Sequence, residues 1–154
     1  MPEAVAEQPA STVGEQYHAI LHFYARQMQL LDDGEIGPWV QTYTENATFD
    51  SNAMPAPLVG RETILRAATE HNRMHQAGTQ RRHLLSNLAL APGRDGTVTA
   101  TSYVTIVETH QGTTALRFST VLEDELVRAD GGWLVRTRRV RRDDLLGERA
   151  TAQH

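Results

Sequence analysis

Asp32 and His83 are the two residues of this sequence whose types could perform acid–base chemistry together. Asp32 lies in the segment LLDDG at 30–34, where a helix is predicted to end, and His83 lies in RRHLL at 81–85, where a strand begins. If the strand folds back over the helix, the carboxylate and the imidazole meet in one pocket. A carboxylate partner fixes the ring tautomer and stabilises the imidazolium, so the far ring nitrogen becomes a competent base near neutral pH.

Two alternatives stay open for this pair. His83 shares a strand face with Leu85, so it could be a core histidine that bonds to Asp32 only to hold the fold. Asp32 could also be a helix end in solvent, with Asp33 as the better exposed candidate. A carboxylate beside an imidazole is nevertheless a general-base arrangement, and it is the first hypothesis for a site.

Helices are predicted in the first half of the chain, where they would position Asp32. Apolar residues recur at spacings of three and four over 13–31, which predicts an amphipathic helix. Gly34 is its natural left-handed terminator. A short helix over 36–43, a short strand over 47–51 and a third helix over 61–75 follow.

Strands are predicted in the second half, because the apolar period changes there from 3.6 to 2. Glycine-containing segments that suit hairpin turns separate them. The strands are expected at 81–91, 97–108, 115–127 and 133–142. Three helices followed by such a meander predict an α+β fold, in which the helices pack on a strongly curved antiparallel sheet around a cone-shaped hollow.

Length and composition indicate one ordinary globular domain. The chain has 154 residues, of which 40% are hydrophobic and 22% charged. The domain is expected over residues 14–145, after a disordered lead-in at 1–13 and before a flexible tail at 146–154. The net charge of −4 argues against binding nucleic acid or an anionic membrane surface.

Several other classes are excluded by what the sequence lacks. Cysteine is absent, so there are no disulfides, thiolate nucleophiles or cysteine-ligated metals. No apolar run approaches the roughly 20 residues that span a bilayer. The first residues are acidic and do not resemble a signal peptide, which favours a cytoplasmic protein.

Four segments follow one another in a recognisable order: LLDDGEIGPWVQTYTENATFD (30–50), VGRETI (59–64), RRHLLSN (81–87) and VLEDELVRADGGWLV (121–135). Together they resemble the NTF2-like superfamily, and in particular its SnoaL-like members. The resemblance covers about residues 14–145 and implies the NTF2-like cone. The group includes polyketide cyclases, scytalone dehydratase, ketosteroid isomerase, a dehydrochlorinase and the β-subunits of ring-hydroxylating dioxygenases, so the fold alone does not specify an activity.

The resemblance implies a role for the pair. In the dehydratase and dehydrochlorinase branches, an aspartate after the first helix orients a histidine on the first long strand, and this histidine removes a proton from the substrate. Asp32 and His83 occupy the matching places. In the isomerase branch the base lies at the end of the first strand, where this chain has Ser51, and its helix tyrosine falls on Gln27. The isomerase's oxyanion-binding aspartate matches Asp124.

Further candidate residues surround this pair in the predicted hollow. Asp124 is in phase with apolar residues of its strand, so it either serves the pocket or pairs with an arginine of the last strand. The hydroxyl of Tyr24 could reach the hollow and bond a substrate oxygen. Asp124 and Tyr24 are therefore grouped with the catalytic candidates. The predicted substrate-binding residues are Asp50, Ser51, Trp39, Met54, Tyr103 and Phe118.

No metal site is predicted. Two HxxxH pairs, His18 with His22 and His71 with His75, place two imidazoles on one helix face, as zinc sites do. Neither pair has a glutamate between its histidines or an evident third ligand, so a solvated helix surface explains them better. The five arginines at 136–142 are interpreted as a solvated edge or subunit contact.

The expected function is that of a small-molecule lyase, isomerase or cyclase. It would act on an apolar, oxygenated, polyketide-like substrate by His–Asp general acid–base catalysis, without metal or cofactor, and as a homodimer. The alternatives are a non-catalytic subunit similar to the dioxygenase β-subunit and a protein that binds a small molecule without converting it.

Overall fold

The structure is a computed structural model that describes residues 12–75 and 77–146. Most of the predicted lead-in at 1–13 and tail at 146–154 therefore lies outside the described residues. Thr12 and Val13 are the exceptions in the lead-in, because Thr12 caps a helix and Val13 is its first residue. None of the helices in the described ranges is long and apolar enough to cross a membrane.

Helix α1 (Val13–Asp32) is the long helix predicted from the apolar spacing. Thr12 caps its first turn: the Thr12 hydroxyl accepts from the Glu15 backbone at 3.1 Å, and the Glu15 carboxylate accepts from the Thr12 backbone at 3.0 Å. The buried residues of α1 follow helical periodicity and face the sheet, and one of them is polar. They are Ile20, Tyr24, Gln27 and Met28.

Helices α2 (Ile36–Val40) and α3 (Arg61–Arg73) are both shorter than predicted. The sequence placed the end of α2 at Tyr43, but this residue begins a strand instead. The Thr42 hydroxyl donates to the Trp39 carbonyl at 2.6 Å, which satisfies a backbone acceptor at the end of α2. The chain can therefore leave the helix at this point without an unpaired carbonyl.

Within residues 12–75 and 77–146, six strands form one open sheet: β1 (Tyr43–Ser51), β2 (Leu58–Val59), β3 (Gln80–Pro92), β4 (Val98–His110), β5 (Thr113–Ala129) and β6 (Gly132–Arg142). Their order is β2-β1-β6-β5-β4-β3. The meander from β3 to β6 confirms the prediction. The sequence did not predict that β1 pairs with β6 in parallel, because a two-fold apolar period carries no information on strand order.

The inner face of the sheet packs on α1 and closes the core. Along β4 and β5 every second residue is buried over 98–104 and 120–126, which is the pattern of a sheet with one covered face. Strand β3 lies at the sheet edge and contacts α1 along its length. The end of α1 is thereby brought next to the start of β3, where the predicted site lies.

Gly34 ends α1 with φ +74°, next to the side chain of Asn72 from α3. We expect Gly34→Ala to destabilise the protein by about 1–2 kcal/mol, because a Cβ strains the left-handed conformation. The free energy of unfolding, measured by urea denaturation, tests this.

Gly37→Ala is the matched control. Gly37 lies in α2 outside the left-handed region, and nothing approaches within 4 Å of an added Cβ. Alanine there is expected to be neutral or to stabilise by about 0.5–1 kcal/mol. Equal losses in the two variants would contradict the assigned role of Gly34.

Candidate functional site

The predicted contact between Asp32 and His83 is present in the structure. His83 Nδ1 lies 2.6 Å from Asp32 Oδ1. The Asp32 carboxylate also accepts from the backbone N–H of His83, at 3.1 and 3.2 Å. One carboxylate thus holds both the ring and the backbone of this residue, which fixes where the imidazole lies.

Asp32, and not Asp33, makes this contact because of its position on α1. It is the last residue of the helix, on the side that faces β3, and its side chain is only 8% exposed. Asp33 is exposed and follows as the cap of the helix. Asp32, the aspartate that the sequence favoured over Asp33, is therefore the one that contacts His83.

The geometry selects one tautomer of His83. A carboxylate only accepts hydrogen bonds, so the neutral imidazole carries its proton on Nδ1 and presents Nε2 as an acceptor. No hydrogen bond to Nε2 comes from any residue in 12–75 or 77–146. The side chain remains 15% exposed, so Nε2 is a base that a ligand could reach.

A cleft of about 440 Å³ adjoins the pair, between α1 and β3. Its apolar walls include Leu21, Ala25 and Met28 of α1 and Leu85 of β3. A groove of about 500 Å³ lies between α1, α2 and the β5–β6 turn, and it contains neither Asp32 nor His83. We place the candidate site in the smaller cleft, because only that cleft contains the acid–base pair.

A second ionic pair, Asp124 with Arg138, lies inside the core between α1 and the sheet. Asp124 is 2% and Arg138 3% exposed. The guanidinium binds both carboxylate oxygens, with Nε at 2.9 Å from Oδ1 and Nη2 at 2.7 Å from Oδ2. The pairing with an arginine of the last strand, one of the two predictions for Asp124, is thus the observed arrangement.

Three further residues complete the hydrogen bonding of this buried pair. The Tyr24 hydroxyl donates to Asp124 Oδ2 at 2.7 Å. Arg138 donates to the Tyr43 hydroxyl at 2.9 Å and to Gln27 Oε1 at 2.7 Å. We call these five residues the buried polar network.

The buried polar network changes the pKa values of Tyr24 and Arg138. Burial and the negative charge of Asp124 raise the pKa of Tyr24 far above its ordinary value. Burial alone would lower the pKa of Arg138, but the charge of Asp124, the hydrogen bond to it and the nearby Tyr43 and Tyr24 together outweigh burial and raise that pKa. Both residues therefore keep their protons at any physiological pH.

This arrangement corrects the expectation that Asp124 and Tyr24 donate hydrogen bonds to a substrate oxygen. An aspartate paired with arginine is ionised, and a carboxylate has no proton to donate. The Tyr24 proton is already committed to Asp124. The two residues are close together, as the sequence suggested, but they support the fold of the site.

The structure places Asp50, Ser51 and Trp39 in three different environments. Ser51 is buried, and its hydroxyl accepts from the Ala53 backbone at 3.1 Å. Asp50 points to the other face of β1, 4.0 Å from Arg139, which corrects its expected place in the pocket. Trp39 is 4% exposed and packs edge-on against the Tyr43 ring, so it is a core residue rather than a pocket wall.

The other three predicted substrate-binding residues also lie in different places. They are Met54, Tyr103 and Phe118. Tyr103 is half exposed on the outer face of β4, opposite in phase to its buried neighbours, so the prediction that it lines the pocket is wrong. Phe118 is partly buried and lies under the Arg142 guanidinium, 3.9 Å from ring centroid to Cζ. Met54 is partly buried in the loop after β1. Neither Met54 nor Phe118 lines the cleft beside Asp32 and His83.

Sequence reasoning missed Arg138 as an individual residue and missed Gln27 and Tyr43 as its partners. The sequence indicates only an arginine-rich edge at 136–142, and a strand period of two gives no reason to single out one arginine. A usable signal was the pairing of two anomalies: an acid on the apolar face of β5 and an uncharged polar residue on the apolar face of α1.

Metal binding finds no support in the part of the chain that is described. No three histidine, aspartate or glutamate side chains there lie close enough to hold an ion. His71 and His75 contact each other, with ring centroids 4.9 Å apart, but Arg81 rather than a third ligand completes the group.

Comparison with known proteins gives one family. Residues 13–139 match the SnoaL-like domain. The chain is 33% identical to ActVI-ORFA from Streptomyces coelicolor, with TM-score 0.77, over 84% of this chain and 98% of that one. It is 31% identical to Aln2 from another Streptomyces species, with TM-score 0.81, over 90% and 98%.

Two further structures extend the comparison. A protein from Catenulispora acidiphila, solved in complex with S-DNPA, is 30% identical with TM-score 0.77, over 90% of this chain and 98% of that one. The β-subunit of a putative aromatic-ring-hydroxylating dioxygenase from Novosphingobium aromaticivorans is 16% identical with TM-score 0.71, over 86% and 92%, and shares the fold. No curated protein matches the chain.

Removing one member of the buried pair should be severely destabilising. We expect Arg138→Met to cost about 3–5 kcal/mol, because Asp124 is left as a buried charge without a partner. Arg139→Met is the matched control, since the Arg139 side chain is 64% exposed on the other face of the same strand. Its effect should stay within about 0.5 kcal/mol.

Urea denaturation measures both variants. A double variant, Arg138→Met with Asp124→Asn, removes the unpaired charge and should recover part of the loss, so the two changes are not additive. Equal losses for Arg138→Met and Arg139→Met would contradict the assigned role of the pair.

Proposed function

Since the chain belongs to the SnoaL-like domain family, we propose that it is a small-molecule lyase, isomerase or cyclase that works by general-base catalysis. The observation that carries this proposal is the Asp32–His83 pair, joined at 2.6 Å beside an apolar cleft. The proposal requires neither a metal nor a cofactor, because the imidazole and its carboxylate supply both proton transfer and charge stabilisation.

His83 would act as the base and Asp32 as its positioning residue. His83 Nε2 takes a proton from a carbon next to a carbonyl, and the C–H electron pair moves into the carbonyl to form an enolate. The resulting imidazolium is stabilised by the Asp32 carboxylate at Nδ1. The protonated ring then returns its proton to the enolate at another atom, or to a leaving group.

The outcome depends on what the enolate does next. Return of the proton to a different carbon is isomerisation, loss of a group next to the new carbanion is elimination, and attack on a second carbonyl of the same molecule is ring closure. All three begin with the same step at His83. A polyketide-like substrate has acidic C–H groups between carbonyls and apolar surface for the cleft walls, so it suits this chemistry.

The buried polar network has a different role in this proposal. Asp124, Arg138 and Tyr24 satisfy one another and fix the distance between α1 and the sheet. They would therefore keep Asp32 and His83 aligned without touching the substrate. A homodimer and a cytoplasmic location stay predictions of the sequence.

A non-catalytic role is the competing outcome of the same experiments. The dioxygenase β-subunit shares the fold at 16% identity, which supports no statement about function. A subunit role predicts co-purification with a larger iron-containing chain and no loss of function in variants of His83. A binding role predicts ligand affinity without conversion.

We expect His83→Ala to lower kcat/KM by about 10²–10⁴-fold, the usual contribution of a general base. The assay incubates the protein in D₂O with S-DNPA, the molecule bound by the Catenulispora protein, and with a panel of polyketide-like ketones. Mass spectrometry detects both deuterium uptake at carbon and new products.

Two variants control this experiment. Asp32→Asn keeps the side-chain size but removes the charge that stabilises the imidazolium, so activity should fall in the same direction. His18→Ala changes an exposed histidine of α1 and should retain full activity. Wild-type turnover in His83→Ala would remove the catalytic assignment.

A further inference from the structure

Arg81 is a charged residue of β3 that lies next to the acid–base pair. It is two residues before His83 on the same face of the strand, so the two Cα atoms are about 7 Å apart. Its side chain is only 18% exposed. Arg81 Nε and Nη2 bind Glu108 Oε1 on β4, at 2.8 and 2.7 Å.

The guanidinium also reaches α3. Arg81 Nη1 lies 3.2 Å from His71 Nε2. Arginine only donates, so Nε2 of His71 accepts and its ring proton is on Nδ1. His75 packs against this ring, with centroids 4.9 Å apart.

Donor groups at this position exceed the acceptors that the protein supplies. Three of the five guanidinium N–H groups of Arg81 are committed, to Glu108 and His71. The other two bond to no residue among those described, and neither does Nδ1–H of His71. The cluster therefore has donors left for a ligand that brings acceptors.

Positive charge also exceeds negative charge around Arg81. Glu108 is the acid bound to Arg81, and its other oxygen lies 4.0 Å from a second arginine, Arg117. Asp32 is committed to His83. Burial lowers the pKa of His71, and His75, Arg81 and His83 lower it further, as expected where the potential is positive.

We propose that Arg81 and His71 form a carboxylate-binding subsite beside His83, so that the substrate carries an anionic carboxylate in addition to its carbonyl group. The inference rests on the proposed function for the statement that its ligand is a substrate. The carboxylate would accept from the free N–H groups of Arg81 and from His71. Bound there, it would hold the molecule beside His83, which also lines the apolar cleft, and bring the C–H next to the carbonyl to this residue.

A carboxylate fits this cluster better than a phosphate does. Its two coplanar oxygens match the guanidinium fork, and its single charge matches the single uncompensated positive charge left by Arg81, Arg117 and Glu108. A phosphate would carry more charge and a third oxygen with no further cation among the contacts of Arg81.

A matched pair of probes tests the subsite without requiring turnover. 2-Naphthylacetate and its methyl ester share one ring system and differ in the charge of the acid group. We expect the wild-type protein to bind the acid about tenfold more tightly than the ester, measured by isothermal titration calorimetry. Arg81→Gln should abolish this preference and leave ester binding unchanged.

Arg94→Gln is the control, because it makes the same change of net charge at an exposed position in the turn after β3, outside the cleft beside His83. It should keep the preference for the acid. If Arg81→Gln does not fold, Arg81→Lys keeps the charge but loses the fork and should reduce the preference severalfold. Equal binding of acid and ester to the wild type, or an equal loss in the Arg81 and Arg94 variants, overturns the proposal.

Two more measurements separate this subsite from the proposed function. His83→Ala should keep the preference for the acid, since the subsite does not need the base. Loss of the preference in that variant overturns the subsite, whereas full turnover in that variant with the preference intact overturns only the proposed function. Competition by inorganic phosphate as strong as by 2-naphthylacetate overturns the assignment to carboxylates.

Discussion

The structure depends on one buried ion pair, Asp124 with Arg138. A charge in a protein interior is tolerated only when it is paired and its remaining hydrogen-bonding groups are satisfied. Here satisfaction comes from two further elements at once: Tyr24 and Gln27 from α1, and Tyr43 from β1. The requirement to complete this pair therefore fixes how α1 and β1 lie on the sheet.

Among the described residues, Asp124 and Asp32 are two carboxylates with basic partners whose surroundings give them opposite capacities. Asp124 makes its hydrogen bonds inside the core, where a ligand does not reach the pair. Asp32 lies at the end of α1, where its partner His83 keeps a ring nitrogen that no described residue bonds and a partly exposed edge. Only the second pair can exchange a proton with a ligand.

Much of this could be predicted from the sequence, and the limits have physical causes. The Asp32–His83 contact was predictable because a helix end and a strand start each leave few positions for the side chain. Asp124 was recognised as anomalous, but its partner among the arginines at 136–142 depends on strand register. Tyr103 and Asp50 were misplaced because one residue of phase moves a side chain to the other face of a sheet. The parallel pairing of β1 with β6 was missed because periodicity does not encode strand order.

The position of the acid–base pair follows from these constraints. Because the buried polar network holds the middle of α1, the end of that helix can carry an ionisable residue without destabilising the core. Gly34 then turns the chain away next to Asn72 of α3. The end of α3 also reaches the edge strand β3, where His71 contacts Arg81. At an edge strand a side chain has protein on one side only, so His83 can be oriented by Asp32 and still be reached. A base needs both conditions: a fixed ring and an open nitrogen. The end of α1 beside β3 meets both conditions, whereas the core around Asp124 meets only the first.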